Sequence, residues 1–65
     1  MRIDVNGMPF TVVTRSLAEA LTELGYDGPA IATALNGTFV PAAARAATPL
    51  HDGDRIEVLA PMQGG

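Results

Sequence analysis

The chain predicts an α+β domain: a mixed four- or five-stranded sheet with one main helix packed on one face. Three observations carry that expectation. Two Asn-Gly dipeptides sit between apolar segments, a helix start signal occurs at Ser16, and Arg55 to Leu59 alternates in polarity. A helix with a single apolar stripe needs a sheet face to cover it, and 65 residues are enough for one core only.

Met1 to Val13 reads as a β-hairpin about Asn6-Gly7. A type I′ turn requires positive φ at both central residues, which Asn and Gly tolerate. The turn pairs Val5 with Met8, Asp4 with Pro9, Ile3 with Phe10 and Arg2 with Thr11. Ile3, Val5, Met8, Phe10 and Val12 then share one face, so the register set by the turn agrees with the one burial demands.

Ser16-Leu17-Ala18-Glu19 fits a capping box, with the Ser hydroxyl on the N3 amide and the Glu carboxylate reaching back to the cap amide. A helix is expected from Leu17, with Leu17, Ala20, Leu21 and Leu24 as its stripe, Gly25 as its left-handed stop and Tyr26 folding back toward Leu21.

Ala30 to Leu35 and Thr38 to Pro41 flank the second dipeptide, Asn36-Gly37, and predict a second hairpin. Its pairing places Ile31, Thr33, Leu35 and Val40 on one face and Ala32, Ala34, Phe39 and Pro41 on the other. Both faces are partly apolar, which suits one face under the helix and the other open to a partner; ordinary surface apolarity explains it equally well. Ala42 to Ala47 is read as a short helical turn without an assigned role. Asp52-Gly53 marks a turn with Asp54 solvated, and Arg55 to Leu59 forms the last strand. The first and last strands are expected side by side and parallel, which puts the two chain ends at opposite ends of the sheet's centre. Residues 1–59 form the domain and 60–65 a flexible C-terminal tail.

Composition narrows the chemistry. Hydrophobic residues make up 48% and charged residues 17%, a globular rather than disordered balance. A net charge of −3 argues against binding a phosphate backbone. There are no cysteines, hence no disulfide scaffold, thiolate metal site or cysteine nucleophile, and one histidine, His51, cannot build a multi-histidine metal site. No apolar run approaches the ~20 residues of a membrane span, so no membrane role and a cytoplasmic location are expected. Lysine is absent, which removes any side-chain ammonium as an isopeptide acceptor. No nucleophile with a histidine partner and no phosphate-cradling glycine loop is present, so no catalytic residue is assigned.

What remains is the α-carboxylate of Gly65. Ala60-Pro61-Met62-Gln63-Gly64-Gly65 can extend up to ~20 Å at about 3.3 to 3.6 Å per residue. Glycine lacks a Cβ, so Gly64 can thread a narrow channel and the Gly65 carbonyl is open to attack from either side. Leu59, Pro61, Met62 and Phe39 are the candidate docking contacts, with Leu59 on the face opposite Ile56 and Val58.

Asn6-Gly7, Leu17 to Gly25, Ala34-Leu35-Asn36-Gly37, Val40-Pro41, Leu50, Asp52 to Val58 and Gly64-Gly65 stand in an order and spacing that resembles the ThiS family of short sulfur carriers, across nearly the whole chain. The resemblance implies a ubiquitin-like β-grasp fold and a carrier that is a protein co-substrate of partner enzymes, with no cofactor of its own. It implies that a ThiF-like adenylyltransferase uses ATP and Mg²⁺ to adenylate Gly65. Sulfur from a cysteine desulfurase or rhodanese-type donor then replaces AMP, and the thiocarboxylate supplies a ThiG-like thiazole synthase in thiamin biosynthesis. The carrier alone is expected to be a monomer. Two features depart from the family pattern: Ala42-Ala43-Ala44-Arg45 stands where a basic residue and then a bulky aromatic are usual, and there is no tryptophan. Pro61-Met62-Gln63 also suits MoaD-like small subunits of molybdopterin synthase, whose chains are generally longer. A ubiquitin-like protein modifier and a small interaction domain with incidental glycines remain as readings from other classes.

Overall fold

The computed structural model describes residues 1–26 and 30–60. Five strands and one α-helix follow in chain order: β1 (Arg2–Val5), β2 (Met8–Thr11), α1 (Leu17–Glu23), β3 (Ala32–Leu35), β4 (Thr38–Val40) and β5 (Arg55–Leu59), with a 3₁₀ segment at Ala42–Ala47. The sheet order is β2-β1-β5-β3-β4. This is the mixed sheet and single covering helix expected of a ubiquitin-like β-grasp.

Both Asn-Gly turns adopt the expected geometry, with φ of 52° and 82° at Asn6 and Gly7 and 50° and 87° at Asn36 and Gly37. The first hairpin pairs Arg2 with Thr11 through Val5 with Met8, and the second pairs Thr33 with Val40 and Ala34 with Phe39. β1 and β5 run parallel at the centre, with Asp4 beside Arg55 and Val5 beside Ile56, so Arg2 and Leu59 lie toward opposite ends of the sheet.

The core forms where the helix stripe meets the covered sheet face: Leu17, Ala20 and Leu21 cluster with Ile3, Val5, Val12, Val40, Leu50, Ile56 and Val58. Met8 shares that face but remains exposed, because β2 is an edge strand and Met8 abuts the turn. At the helix start, Ser16 Oγ accepts the Glu19 N–H at 3.2 Å, as a cap should. The Glu19 carboxylate differs from the expected box: it accepts the Ser16 hydroxyl at 3.2 Å rather than bonding the cap amide. The chain here is also held in a strand-like bridge to Pro49, with Leu17 N–H on Thr48 O and Leu50 N–H on Arg15 O. At the other end Tyr26 N–H reaches Leu21 O and Gly25 N–H reaches Thr22 O, a Schellman pair made possible by φ of 88° at Gly25.

One expectation about the loops needs revision, while the short helical turn expected at Ala42 to Ala47 is present. Asp54 is not a solvated side chain: it is 13% exposed, and its oxygens accept the His51 backbone N–H at 2.7 Å and Asn36 Nδ2 at 3.0 Å. The turn before β5 is thereby tied to the second hairpin. Its neighbour Asp52 accepts the Arg2 N–H at 2.7 Å, which links the same turn to β1. The alanine-rich stretch has a definite role. It lies against α1, and Arg45, only 8% exposed, sends Nε to Thr33 Oγ1 at 3.1 Å and Nη2 to Ile31 O at 2.6 Å. Thr33, 1% exposed, donates its own hydroxyl to Val40 O at 2.9 Å, so one polar chain runs from the 3₁₀ segment through β3 to β4. Buried polar groups are tolerated when they are bonded in this way. Among the described residues no helix is long and apolar enough to cross a membrane.

Candidate functional site

The uncovered face of the sheet is built by alternation. On β5, Ile56 and Val58 are buried while Arg55, Glu57 and Leu59 are exposed. On β3 and β4, Thr33 and Val40 turn inward, which sends Ala32, Ala34 and Phe39 the other way. The antiparallel β3–β5 pairing then sets Leu59 opposite Ala32 and Glu57 opposite Ala34, and Ala34 is in turn opposite Phe39.

Phe39 and Leu59 are therefore two strands apart on one face, about 10 Å across the sheet at the usual strand spacing. The small alanines between them leave a shallow hollow with apolar walls, lined also by Thr33 and Glu57. Phe39 is 65% and Leu59 67% exposed, high for side chains of their size, and the two lie on a common surface. The β1 side of the same face is polar, carrying Arg2 and Asp4. The apolar half is thus the half next to the C-terminal end of β5.

Of the candidate site residues, Leu59 and Phe39 are brought together, joined by Ala32 and Ala34. Pro61, Met62, Gly64 and Gly65 lie outside the described residues. Ala60 is the last residue described, directly beyond β5 and exposed. The candidate site is thus an apolar hollow beside the root of the segment that carries Gly65. The Asp52 and Asp54 carboxylates are engaged in turn chemistry, since both accept backbone N–H groups.

Two supports of β5 are missed when the turns are read for backbone conformation alone. Asn6 and Asn36 each turn a side chain onto β5. Asn6 Oδ1 accepts the Val58 N–H at 2.8 Å and Asn6 Nδ2 donates to Val58 O at 3.2 Å. Asn36 Oδ1 accepts the Arg55 N–H at 2.9 Å. Asparagine rather than glycine at the first turn position is the only trace of this in the sequence.

Comparison with known proteins gives the same architecture and a family. A protein of Thermus thermophilus described as sulfur carrier protein ThiS is 39% identical over 66 residues, covering 94% of this chain and 95% of that one. The crystal structure of a thiamine biosynthesis protein (ThiS) from Geobacter metallireducens superposes with a TM-score of 0.82 at 35% identity, covering all of both chains. A solution structure of a thiamine biosynthesis protein from the same organism gives 0.79 at 35% identity, over all of this chain and 88% of the other. With the ThiS family model matching residues 3–65, from the first buried position of β1 to the diglycine, the chain belongs to the ThiS family.

Proposed function

We propose that this protein is a sulfur carrier for thiazole formation in thiamin biosynthesis, with the Gly65 carboxylate as the group that is activated and loaded. The observation that carries the reading is the family match, which extends through Gly64 and Gly65 and so includes the reactive end. The carboxylate is a poor electrophile and must first be activated. A Gly65 oxygen attacks the α-phosphorus of ATP in a partner adenylyltransferase, and pyrophosphate leaves. A sulfur nucleophile then adds to the acyl carbon of the adenylate and AMP leaves, which places sulfur on the Gly65 carbonyl. A persulfide donor from a desulfurase or rhodanese-type protein additionally requires a thiol to reduce the S–S bond. ATP and Mg²⁺ belong to the partner; this chain supplies the acyl group and the surface that presents it. A thiazole synthase takes the sulfur.

The hollow between Phe39 and Leu59 is the proposed docking surface for the adenylyltransferase. Contact there holds the domain while the six residues from Ala60 reach into the active site. Lysine in place of Leu59 or Phe39 is expected to weaken adenylyltransferase binding by about tenfold or more, the size of a good interface anchor. Both side chains are mostly exposed, so unfolding free energy should change by less than about 1 kcal/mol. Calorimetric titration against the enzyme, together with urea unfolding, separates the two effects. Unchanged affinity in both variants would remove the surface from the proposal.

The chemistry itself is tested by intact-mass measurement of carrier co-expressed with its adenylyltransferase and sulfur donor. The expected product has one oxygen exchanged for sulfur, located at Gly65 by fragmentation. A carrier that stays at its unmodified mass under those conditions counts against the function.

A further inference from the structure

The Asn6 side chain continues a strand that its own backbone has left. In a parallel ladder, alternate residues direct both backbone groups to the same neighbour. Ile56 O accepts the Asn6 N–H at 2.9 Å, so Val58, two residues on, turns its N–H and C=O toward β1 as well. By then β1 has ended and the chain has entered the Asn6-Gly7 turn. The carboxamide fills the gap, because it presents an acceptor and a donor side by side, as a peptide unit does. Val58 thus keeps two partners on that side, and its neighbour Leu59 is held on the other side in register with Ala32. These are the last supports before Ala60. Without the carboxamide, Val58 loses both bonds and the end of β5 is held from the β3 side alone.

Asn36 is a natural counterpart. It occupies the same turn position at nearly the same φ and also bonds β5, but at Arg55, the strand's first residue. One asparagine therefore supports the start of β5 and the other its end.

We propose that Asn6 is a positioning residue for the chemistry at Gly65: its carboxamide fixes the point from which the reactive segment leaves the sheet. The inference rests on the proposed function, in which Gly65 is the acyl group. The enzyme docks on the open sheet face, whereas delivery of the carboxylate into the active site is a separate, geometry-sensitive step. Loosening the root of the segment should impair delivery more than docking.

The test is steady-state adenylation of the full chain by its adenylyltransferase, followed by ATP–pyrophosphate exchange, for the parent, Asn6→Gly, Asn6→Asp and Asn36→Gly. Glycine retains the positive φ of either turn. Asn6→Gly is expected to lower kcat roughly tenfold with KM changed by less than about twofold, since small misplacements of reacting groups are costly. Asn36→Gly removes comparable bonds from the far end of β5 and is expected to alter neither constant by more than about twofold. Hydrogen exchange without enzyme should show the Val58 amide accelerated in Asn6→Gly and not in Asn36→Gly. Asn6→Asp keeps the acceptor for Val58 N–H and loses the donor for Val58 O, so its kcat should fall between parent and Asn6→Gly; it also supplies the comparison should the glycine variant prove unfolded. Equal kcat losses in the two glycine variants, or a loss confined to KM, would overturn the role of Asn6. A parent that is not adenylated removes the underlying function, whereas an active parent with kinetically unchanged Asn6 variants removes the positioning role alone.

Discussion

Carrier extended by one alanine after Gly65 is expected to fold like the parent and to form no detectable acyl adenylate. The extension displaces the terminal carboxylate by about 3.3 to 3.6 Å along the chain and puts a Cβ where glycine has none. A reacting group misplaced by about 1 Å can already lose around a hundredfold in rate, so a displacement of a whole residue should exceed that loss by at least another order of magnitude. The fold should be indifferent to the change. Among the described residues every buried core position lies between Ile3 and Val58, and the last strand ends at Leu59. Pyrophosphate exchange measures the first effect and urea unfolding the second. Adenylation of the extended carrier at the parental rate would contradict the assignment of Gly65.

The largest effect on stability is expected at Arg45. Replacing it with alanine removes two hydrogen bonds from a charged donor, deprives Thr33 Oγ1 and Ile31 O of their partner, and leaves a void beside Thr33. Hydrogen bonds to charged groups contribute about 1.5 to 3 kcal/mol each, and desolvation of the guanidinium offsets part of that. A net loss of about 3 kcal/mol is expected. A domain of 65 residues has only about 3 to 10 kcal/mol to lose. Arg45→Lys keeps the charge but not the fork that reaches Thr33 and Ile31 together, so it should lose about half as much. Urea midpoints at matched m-values decide the matter. An alanine variant within about 0.5 kcal/mol of the parent would show that the buried guanidinium contributes little net stability.

Much of the fold is legible in the chain because its signals are short-range. Asn-Gly fixes each turn and, through it, each hairpin's register. Ser16 and Gly25 mark the helix ends, and the alternation from Arg55 to Leu59 yields the bounds of β5 without adjustment. The family membership expected from the ordered motifs is borne out by the match over residues 3–65. Leu59 is exposed for the reason that alternation predicts. Asp54 and Arg45 were less accessible to this reasoning. A carboxylate beside an Asp-Gly turn ordinarily points to solvent, and an arginine in an alanine-rich stretch has no local periodicity to signal burial. Each acquires its partners from a segment far away in sequence: Asn36 for one, Thr33 and Ile31 for the other.

The sequence by itself determined the turns, the helix and its caps, which residues of each strand share a face, and the family to which those motifs point. The sequence also places β1 beside β5; only the tertiary structure decided that β3 takes the other side of β5. That choice sets Leu59 across from Ala32 beside Phe39, and it turns Asn6 and Asn36 from turn formers into supports for opposite ends of one strand. The physical reason is the range of the interactions. A turn is stabilised by the φ preferences of two adjacent residues, whereas the neighbour of a central strand is selected by how separate apolar faces are covered together, which no local segment encodes.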